Sequence, residues 1–371
     1  LSKGYYIPWR HVFNPGSLST PCRRVFDASS RTPGGESLND VLAKGSNVLA
    51  KLFNLLVKFR CGPACFTADI SMAYNQVRIT PQEYCYQKYL WCEDLTDEEK
   101  IVVMCVVTLI YGVRPAGNLT IAGIQAIVDY AKDLGGKVAL GAETLGDSTY
   151  VDDIFSAFLT EKLRDDAAEG VVEALAIGGM SVKEITKSGS PPTDKVSTDG
   201  EHVGVVGYRW ATEKDLLKLD IKPITFKKAK RGLPSAPIEG DLVEALSGCF
   251  TKRVIAGQNA SVFDPLGICT PVTAKLKLDM ATICRLQTDW DDKLPSELLP
   301  VWGENLAAIR LLSQVQVPRN IGLRGAGDKV DLIVCCDASQ QISIAAVYCR
   351  IVHGNGDVTC QLMAAKSQLA T

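Results

Sequence analysis

The stretch "STYVDDIFSA" (148–157) sets two adjacent carboxylates, Asp152 and Asp153, between Tyr150-Val151 and Ile154-Phe155, residue types that favour strands. Two carboxylates about 4 Å apart repel by roughly 1 kcal/mol in water and about 4 kcal/mol at an effective dielectric of 20. A hairpin turn facing solvent tolerates such a pair, and a divalent cation would convert the repulsion into coordination. A third carboxylate decides between these. Asp69 interrupts the apolar, strand-like run "CFTADISMAYNQVRI", 152 − 69 = 83 residues before the hairpin. Three clustered carboxylates can hold two divalent ions, the arrangement phosphoryl transfer uses.

The elements that must gather these residues follow from pattern. Pro8, Pro15, Pro21 and Pro33-Gly34-Gly35 make residues 1–40 loop-rich. Ser46 can cap a helix reaching about Arg60, with Leu49, Leu52, Phe53, Leu56 and Phe59 on one face. The β-branched run "IVVMCVVTLIYGV" is too short for a bilayer and reads as a buried strand. Asn118 can cap a helix carrying Ile121, Ile124, Val128, Ala131 and Leu134, stopped at Gly135-Gly136. After the acidic hairpin, a helix from Thr160 stops at Gly178-Gly179, and "HVGVVGYRW" resumes strand character. Strand, helix, hairpin, helix, strand is the order of a split βαβ, antiparallel α+β layer. Thr270-Pro271 opens a helix, another surrounds Trp302, Leu306 and Ile309, and three strand-like runs close the chain. A helical module is expected over about 236–316.

Composition excludes several classes. At 371 residues, 46% hydrophobic and 22% charged, the chain has the make-up of a folded protein of two or three domains. Thirteen scattered cysteines without a C-x-x-C pair, and only three histidines, argue against structural zinc and for reduced, intracellular thiols. No signal peptide is visible, and the opening "LSKGYY" reads as a segment of something longer. A net charge of −2 gives no global attraction to polyanions, but Lys214–Arg231 concentrates seven basic residues. Such a run is either a solvated face or a grip on a phosphate backbone.

"FTADISMAYNQVRI", "YGVRPAGNLTIAGI", "YVDDIFSAF", "GGMSVKEITKSG" and "VVGYRW" occur in the order of reverse-transcriptase palm motifs, and the chain resembles that family. "CRRVFDASSRTPGGESLNDVL" and "VFDPLGICTPVTAKLKLDM" resemble segments of the BEL/Pao class of long-terminal-repeat retrotransposons. The tail "CCDASQQISIAAVYCR" is similar to the opening strands of an attached ribonuclease H domain. The resemblance implies a right-hand polymerase: fingers over 1–62, palm over 63–213 with a fingers insertion at about 77–108, a thumb-like helical module over 214–325, and a partial ribonuclease H-like α/β domain over 326–371.

By position, the resemblance makes Asp69, Asp152 and Asp153 the carboxylates that bind two Mg²⁺ (or Mn²⁺), with Ile70 offering its carbonyl. Tyr74 matches the aromatic gate against a 2′-hydroxyl. Arg23 matches the fingers arginine that takes the triphosphate, a role that suits guanidinium geometry; the adjacent Arg24 leaves that assignment open by one position. Lys183 matches the lysine beside the leaving pyrophosphate. Gly112 and Gly117 match the segment supporting template base and nucleotide, which departs here from the L-P-Q-G form of retroviral enzymes. Val206, Gly207 and Tyr208 match the primer grip. Lys222, Lys227, Lys228, Lys230 and Arg231 then become backbone contacts beyond it.

The implied partners are an RNA or DNA template with its primer, dNTPs, and the remaining polyprotein domains (the rest of ribonuclease H, protease, integrase), inside the cell in a retrotransposon particle and without a membrane. Asp337 is the acidic residue of the final segment at the matching strand, so ribonuclease H activity is not expected from this stretch alone. An RNA-dependent RNA polymerase, or a decayed element that only binds nucleic acid, are the alternatives; Tyr74 argues against the first and the intact aspartates against the second.

Overall fold

The computed structural model describes residues 4–13, 21–93, 100–226, 238 and 240–370. The elements run β1 (Trp9–Phe13), β2 (Cys22–Phe26), α1 (Leu38–Val41), α2 (Leu52–Phe59), β3 (Ala64–Ile70), α3 (Ala73–Gln76), β4 (Lys88–Trp91), β5 (Val102–Cys105), α4 (Ala116–Ala131), α5 (Gly136–Ser148), β6 (Thr149–Tyr150), β7 (Asp153–Phe158), α6 (Glu161–Ile177) and β8 (Val182–Lys187). They continue with β9 (His202–Val205), β10 (Tyr208–Ala211), β11 (Leu216–Leu219), α7 (Leu242–Ser247), α8 (Lys252–Ala260), α9 (Thr270–Cys284), α10 (Leu299–Leu312), β12 (Gln316–Pro318), β13 (Lys329–Ala338), β14 (Ile342–Val352) and β15 (Val358–Leu369). Two compact units result. One comprises Leu1–Lys51, Phe66–Ser156 and Lys162–Ile185, the other Leu52–Cys65, Ala157–Glu161 and Thr186–Thr371. No helix of the described residues is long and apolar enough to cross a membrane.

The first unit is organised by the sheet β6-β7-β3-β8. Along β3 every residue is buried except Asp69, which strand alternation turns the other way from Ala68 and Ile70. The strand stops at Ile70, short of the run the sequence suggested, because Met72 takes a left-handed φ of 45° and starts the short α3. The helix expected from Ser46 begins only at Leu52. Gly45 holds φ +83°, and the Asn118 amide donates to the carbonyls of Lys44 (2.8 Å) and Ser46 (2.6 Å), which keeps that segment out of a helix. Leu49 and Phe53, expected on its buried face, are exposed. Asn118 is therefore a tether inside the first turn of α4, whose cap position is Pro115.

Helix α5 has no counterpart in the sequence reading, which passed straight from Gly135-Gly136 to the hairpin. Its glycines are poor helix formers, but Gly141 meets the backbone of Gly170 on α6 so closely that no Cβ fits at either position. Packing overrides propensity there. The valine-rich β5, read as a buried strand, is exposed along its length and pairs only with β4; the burial lies just beyond it, at Leu109 and Ile110. Residues 1–40, read as loop-rich, contain the antiparallel strand pair β1-β2.

In the second unit, β9 to β12 form one antiparallel sheet and β13-β14-β15 another. Helices α7 to α10 share a core of Leu246, Phe250, Ile255, Trp302, Leu306 and Ile309, as the sequence indicated for the helical module. Two buried arginines stitch the chain together. Arg319 donates to both Asp215 carboxylate oxygens (2.6 and 2.8 Å) and to the carbonyls of Phe59 and Gly62. Arg60 donates to the carbonyls of Arg319, Leu362 and Met363.

Arg319 has no exposed side-chain surface. Arg319→Met should therefore lower unfolding stability by about 3–5 kcal/mol, because Asp215 and the carbonyls would lose their donor. Urea unfolding of Arg319→Met, Asp215→Asn and the double variant checks this. The double variant should cost clearly less than the two singles summed, and strict additivity would refute the pairing.

Candidate active site

The hairpin β6-β7 pairs Tyr150 with Asp153, so Val151 and Asp152 form a two-residue turn. Val151 sits at φ +62°, a conformation that a two-residue hairpin demands and a β-branched side chain resists. The Ile70 amide donates to the Asp152 carbonyl at 2.9 Å, which docks the end of β3 onto this turn. The Ser71 amide donates to the Ser181 carbonyl at 2.8 Å, which brings β8 and Lys183 to the same end. Gln76 bridges the two, its amide nitrogen donating to the Ser71 carbonyl and its oxygen accepting from the Ser181 amide.

These contacts line an open cleft of about 1020 Å³ with Asp69, Ile70, Asp152, Lys183, Arg23 and Tyr111. Asp153 and Tyr74 are not among the residues that line it. Burial pushes the Asp153 carboxyl up to about 7, helped by the charges of Asp152 and Asp69. Burial also raises Asp69, with Asp152 adding to the rise while Lys183 and Arg23 oppose it, and burial raises Asp152. The three aspartates thus feel one another. Among the described residues no group of three or more His, Cys, Asp or Glu side chains is already shaped as an ion cage. An all-oxygen carboxylate set held at raised pKa is nevertheless the chemistry that hard divalent cations relieve.

Arg23 and Arg24 both line the cleft but differ in their neighbours. Arg24 lies 5.0 Å from the Trp9 ring centre, 5.4 Å from Tyr89 and 4.8 Å from Trp91, and donates to the Tyr89 hydroxyl at 2.8 Å. That engagement anchors Arg24 among aromatics. Arg23, opposite in strand alternation, is the arginine whose charge acts on Asp69.

Tyr74 lies on α3, not on a strand end, and its ring centre is 4.3 Å from that of Tyr111. Burial, then the charge of Asp152, raises both phenols. Tyr111 escaped the sequence reading; the available signal was an aromatic directly before Gly112 in "IYGVRP". Gly112 holds φ +97°, a Cβ there would stand 2.8 Å from the Phe26 carbonyl, and its own carbonyl accepts from Asn39. Gly117 opens α4 beside the Tyr74 hydroxyl, 3.5 Å from where its Cβ would be.

In the second unit, Val206 and Gly207 form the two-residue turn between β9 and β10. Tyr208 is buried, its hydroxyl donating to Asp264 at 2.7 Å, so its side chain is a strut and not a surface contact. Lys222 is exposed after β11; Lys227, Lys228, Lys230 and Arg231 lie outside the described residues. Asp337 is on β13, exposed, its carboxylate accepting from the Ala338 amide.

Residues 251–371 match the family model described as Pao retrotransposon-like RNaseH-like domain. No curated protein sequence matches the chain. Among solved structures, the foamy viral protease-reverse transcriptase in complex with RNA/DNA hybrid aligns at a TM-score of 0.54 and 15% identity, over 100% of this chain and 40% of that one. A dRH form of it with double-stranded DNA gives 0.56 and 15% (100% and 53%), and a further double-stranded DNA complex 0.54 and 16% (100% and 63%). The chain thus spans about half the length of the structures it matches. Residues 251–371 are thus similar to a Pao retrotransposon-like RNaseH-like domain, and the mixed α/β fold is similar to that of the foamy viral protease-reverse transcriptase.

Proposed function

We propose that the chain is an RNA-directed DNA polymerase of a BEL/Pao-class retrotransposon polyprotein, extending a primer 3′-hydroxyl with dNTPs, with a right-hand fold whose palm is the sheet β6-β7-β3-β8. The observation that carries this reading is a cleft that presents Asp69, Asp152, Lys183 and Arg23 together, with the buried Asp153 feeling the charges of Asp152 and Asp69. Asp69, Asp152, Asp153 and the Ile70 carbonyl would hold two Mg²⁺ (or Mn²⁺), which supply an activated hydroxyl and neutralise phosphate charge. Arg23 binds the triphosphate through its planar fork. Lys183 faces the leaving pyrophosphate, where a positive charge or a proton donor helps. Tyr74 and Tyr111 wall off the 2′ side of the sugar, while the Gly112 and Gly117 backbones support the nucleotide. The Val206–Gly207 turn holds the primer end. The setting is intracellular, in a particle with the remaining polyprotein domains.

Primer extension on an RNA template with dNTPs or rNTPs, in Mg²⁺ and in Mn²⁺, tests this. Product with dNTPs supports it. Product with rNTPs alone indicates an RNA polymerase, and duplex binding without product indicates a binding module.

Sugar choice gives a sharper expectation. Tyr74→Ala should raise ribonucleotide incorporation about tenfold or more, by removing a steric clash worth roughly 1–3 kcal/mol. Tyr111→Ala should move the ratio the same way, because the two rings touch. An unchanged dNTP/rNTP ratio in both would mean that neither ring meets the sugar.

A chain of net charge −2 must bind a polyanion through local patches. Alanine at Lys222, Lys227, Lys228 and Lys230 should weaken binding to any sequence equally and flatten the salt slope by about 0.9 for each phosphate no longer neutralised. Identical slopes for parent and variant would make the run a solvated face.

A further inference from the structure

In the second unit, the turn between β9 and β10 meets a neighbour that the sequence reading did not single out. Gly207 holds φ +88°, and a Cβ there would stand 2.5 Å from Cδ1 of Phe263. The phenyl ring therefore lies directly on the turn backbone, while 51% of Phe263 remains exposed. The next residue works from behind. Asp264 accepts the Tyr208 hydroxyl at 2.7 Å and the amides of Ile268 and Cys269 at 3.0 and 2.7 Å. The Tyr208 hydroxyl in turn accepts from the Leu266 amide at 3.0 Å. The Leu266 carbonyl accepts from the Ala365 amide of β15 at 2.8 Å, and Gly267 approaches the Ala365 carbonyl too closely for any side chain. Residues 263–269 thus join the hairpin turn, the start of α9 and β15.

This arrangement is unusual in what it leaves exposed. The polar groups of the junction are bonded to one another, and the face it offers to solvent at the turn is a flat aromatic ring. Aromatic faces beside exposed backbone suit a nucleic-acid strand, since any base or sugar can pack on them. We infer that Phe263 and Asp264 belong to the working tip of this hairpin, Phe263 as a contact face for the end of a nucleic-acid strand and Asp264 as a positioning residue acting through Tyr208. The inference rests on the reading of Val206–Gly207 as the turn that holds a primer end. It gives the first part of the RNaseH-like segment a role in holding the strand.

The test uses the full chain with a duplex carrying 2-aminopurine at the primer 3′ end. Tyr208→Phe removes one hydroxyl and keeps the ring. It should leave duplex affinity within about twofold, shift the 2-aminopurine signal toward that of free duplex, and slow single-turnover extension about tenfold, as expected for a misplaced terminus. Phe263→Ala should do the same, and Phe263→Trp should keep both readouts near the parent. Asp264→Asn, whose amide nitrogen cannot accept in place of one carboxylate oxygen from the Tyr208 hydroxyl and Ile268 amide or from the Cys269 amide, should fall with Tyr208→Phe. Thermal melting confirms that each variant is folded. Parent-like fluorescence and rate in both Tyr208→Phe and Phe263→Ala overturn the inference. A parent that binds duplex without extending it overturns the polymerase reading alone, and the fluorescence still decides this one. A parent that does not bind duplex overturns both.

Discussion

Asp152→Asn is expected to lower primer extension by about three orders of magnitude or more, roughly 4 kcal/mol of activation barrier. The change is isosteric and removes one charge. The parts of Asp152 that hold the fold are main-chain: its carbonyl accepts from Ile70, and the turn depends on φ at Val151. The variant should therefore fold as the parent does, and it should melt no lower, since one of three mutually repelling carboxylates has been neutralised. Duplex binding should change little. Single-turnover extension, read beside melting and duplex titration, separates a lost reaction from a lost structure. A near-parent rate in Asp152→Asn would remove the carboxylate cluster from the chemistry altogether.

That Asp69 would come near Asp152 and Asp153 was legible from the strand-like runs that carry them, and the hairpin was legible from its flanks. Thr270-Pro271 likewise marked α9 to within a residue, although Thr270 is its first residue and Asp264 satisfies the amides before it. What failed to show were long-range effects. Nothing near Ser46 reports that Asn118, seventy-two residues away, will hold its carbonyl. Nothing in "GKVALGAETLGDS" reports that Gly170 of another helix will fit against Gly141. The run Val102–Cys105 has the composition of a core strand but pairs within a two-stranded sheet, and composition does not count layers. Arg23 and Arg24 could not be separated without knowing which strand face meets Trp9, Tyr89 and Trp91. Tyr111 was hidden because its partner, Tyr74, is near it only in space.

Asp153→Asn is expected to stabilise the cation-free protein, with a gain that depends on pH in a stated direction. The carboxyl of Asp153 is raised from 3.8 to about 7 in the folded state, by burial first and then by its two acidic neighbours. Below about pH 4 the group is protonated both folded and unfolded, so it costs nothing. Between about 4 and 7 the unfolded chain releases this proton while the folded chain keeps it, and the group's contribution to stability falls as pH rises. Above about 7 the full penalty is in place. A shift of 3.2 pH units at 1.36 kcal/mol each sets a ceiling of about 4 kcal/mol, and coupling among the three carboxyls brings the expected gain to roughly 2–4 kcal/mol. The neutral amide of the variant carries no such penalty. The stability difference between variant and parent should accordingly grow from near zero at pH 4 to a plateau above pH 7, in EDTA. Carboxylates held low by their partners, such as Asp328, which accepts from the Arg324 amide and then from His353, contribute equally to both proteins and cancel. Mg²⁺ or Mn²⁺ should then stabilise the parent and close the gap, because a ligand that binds only the folded state adds to its stability. Urea unfolding at pH 5, 6 and 7.5, with EDTA and with each cation, measures all of this. A difference that stays flat with pH would mean that Asp153 is not held at raised pKa. A gap that grows with pH but is untouched by either cation would leave three repelling carboxylates with no ion to serve, and the two-ion reading of the cleft would fall.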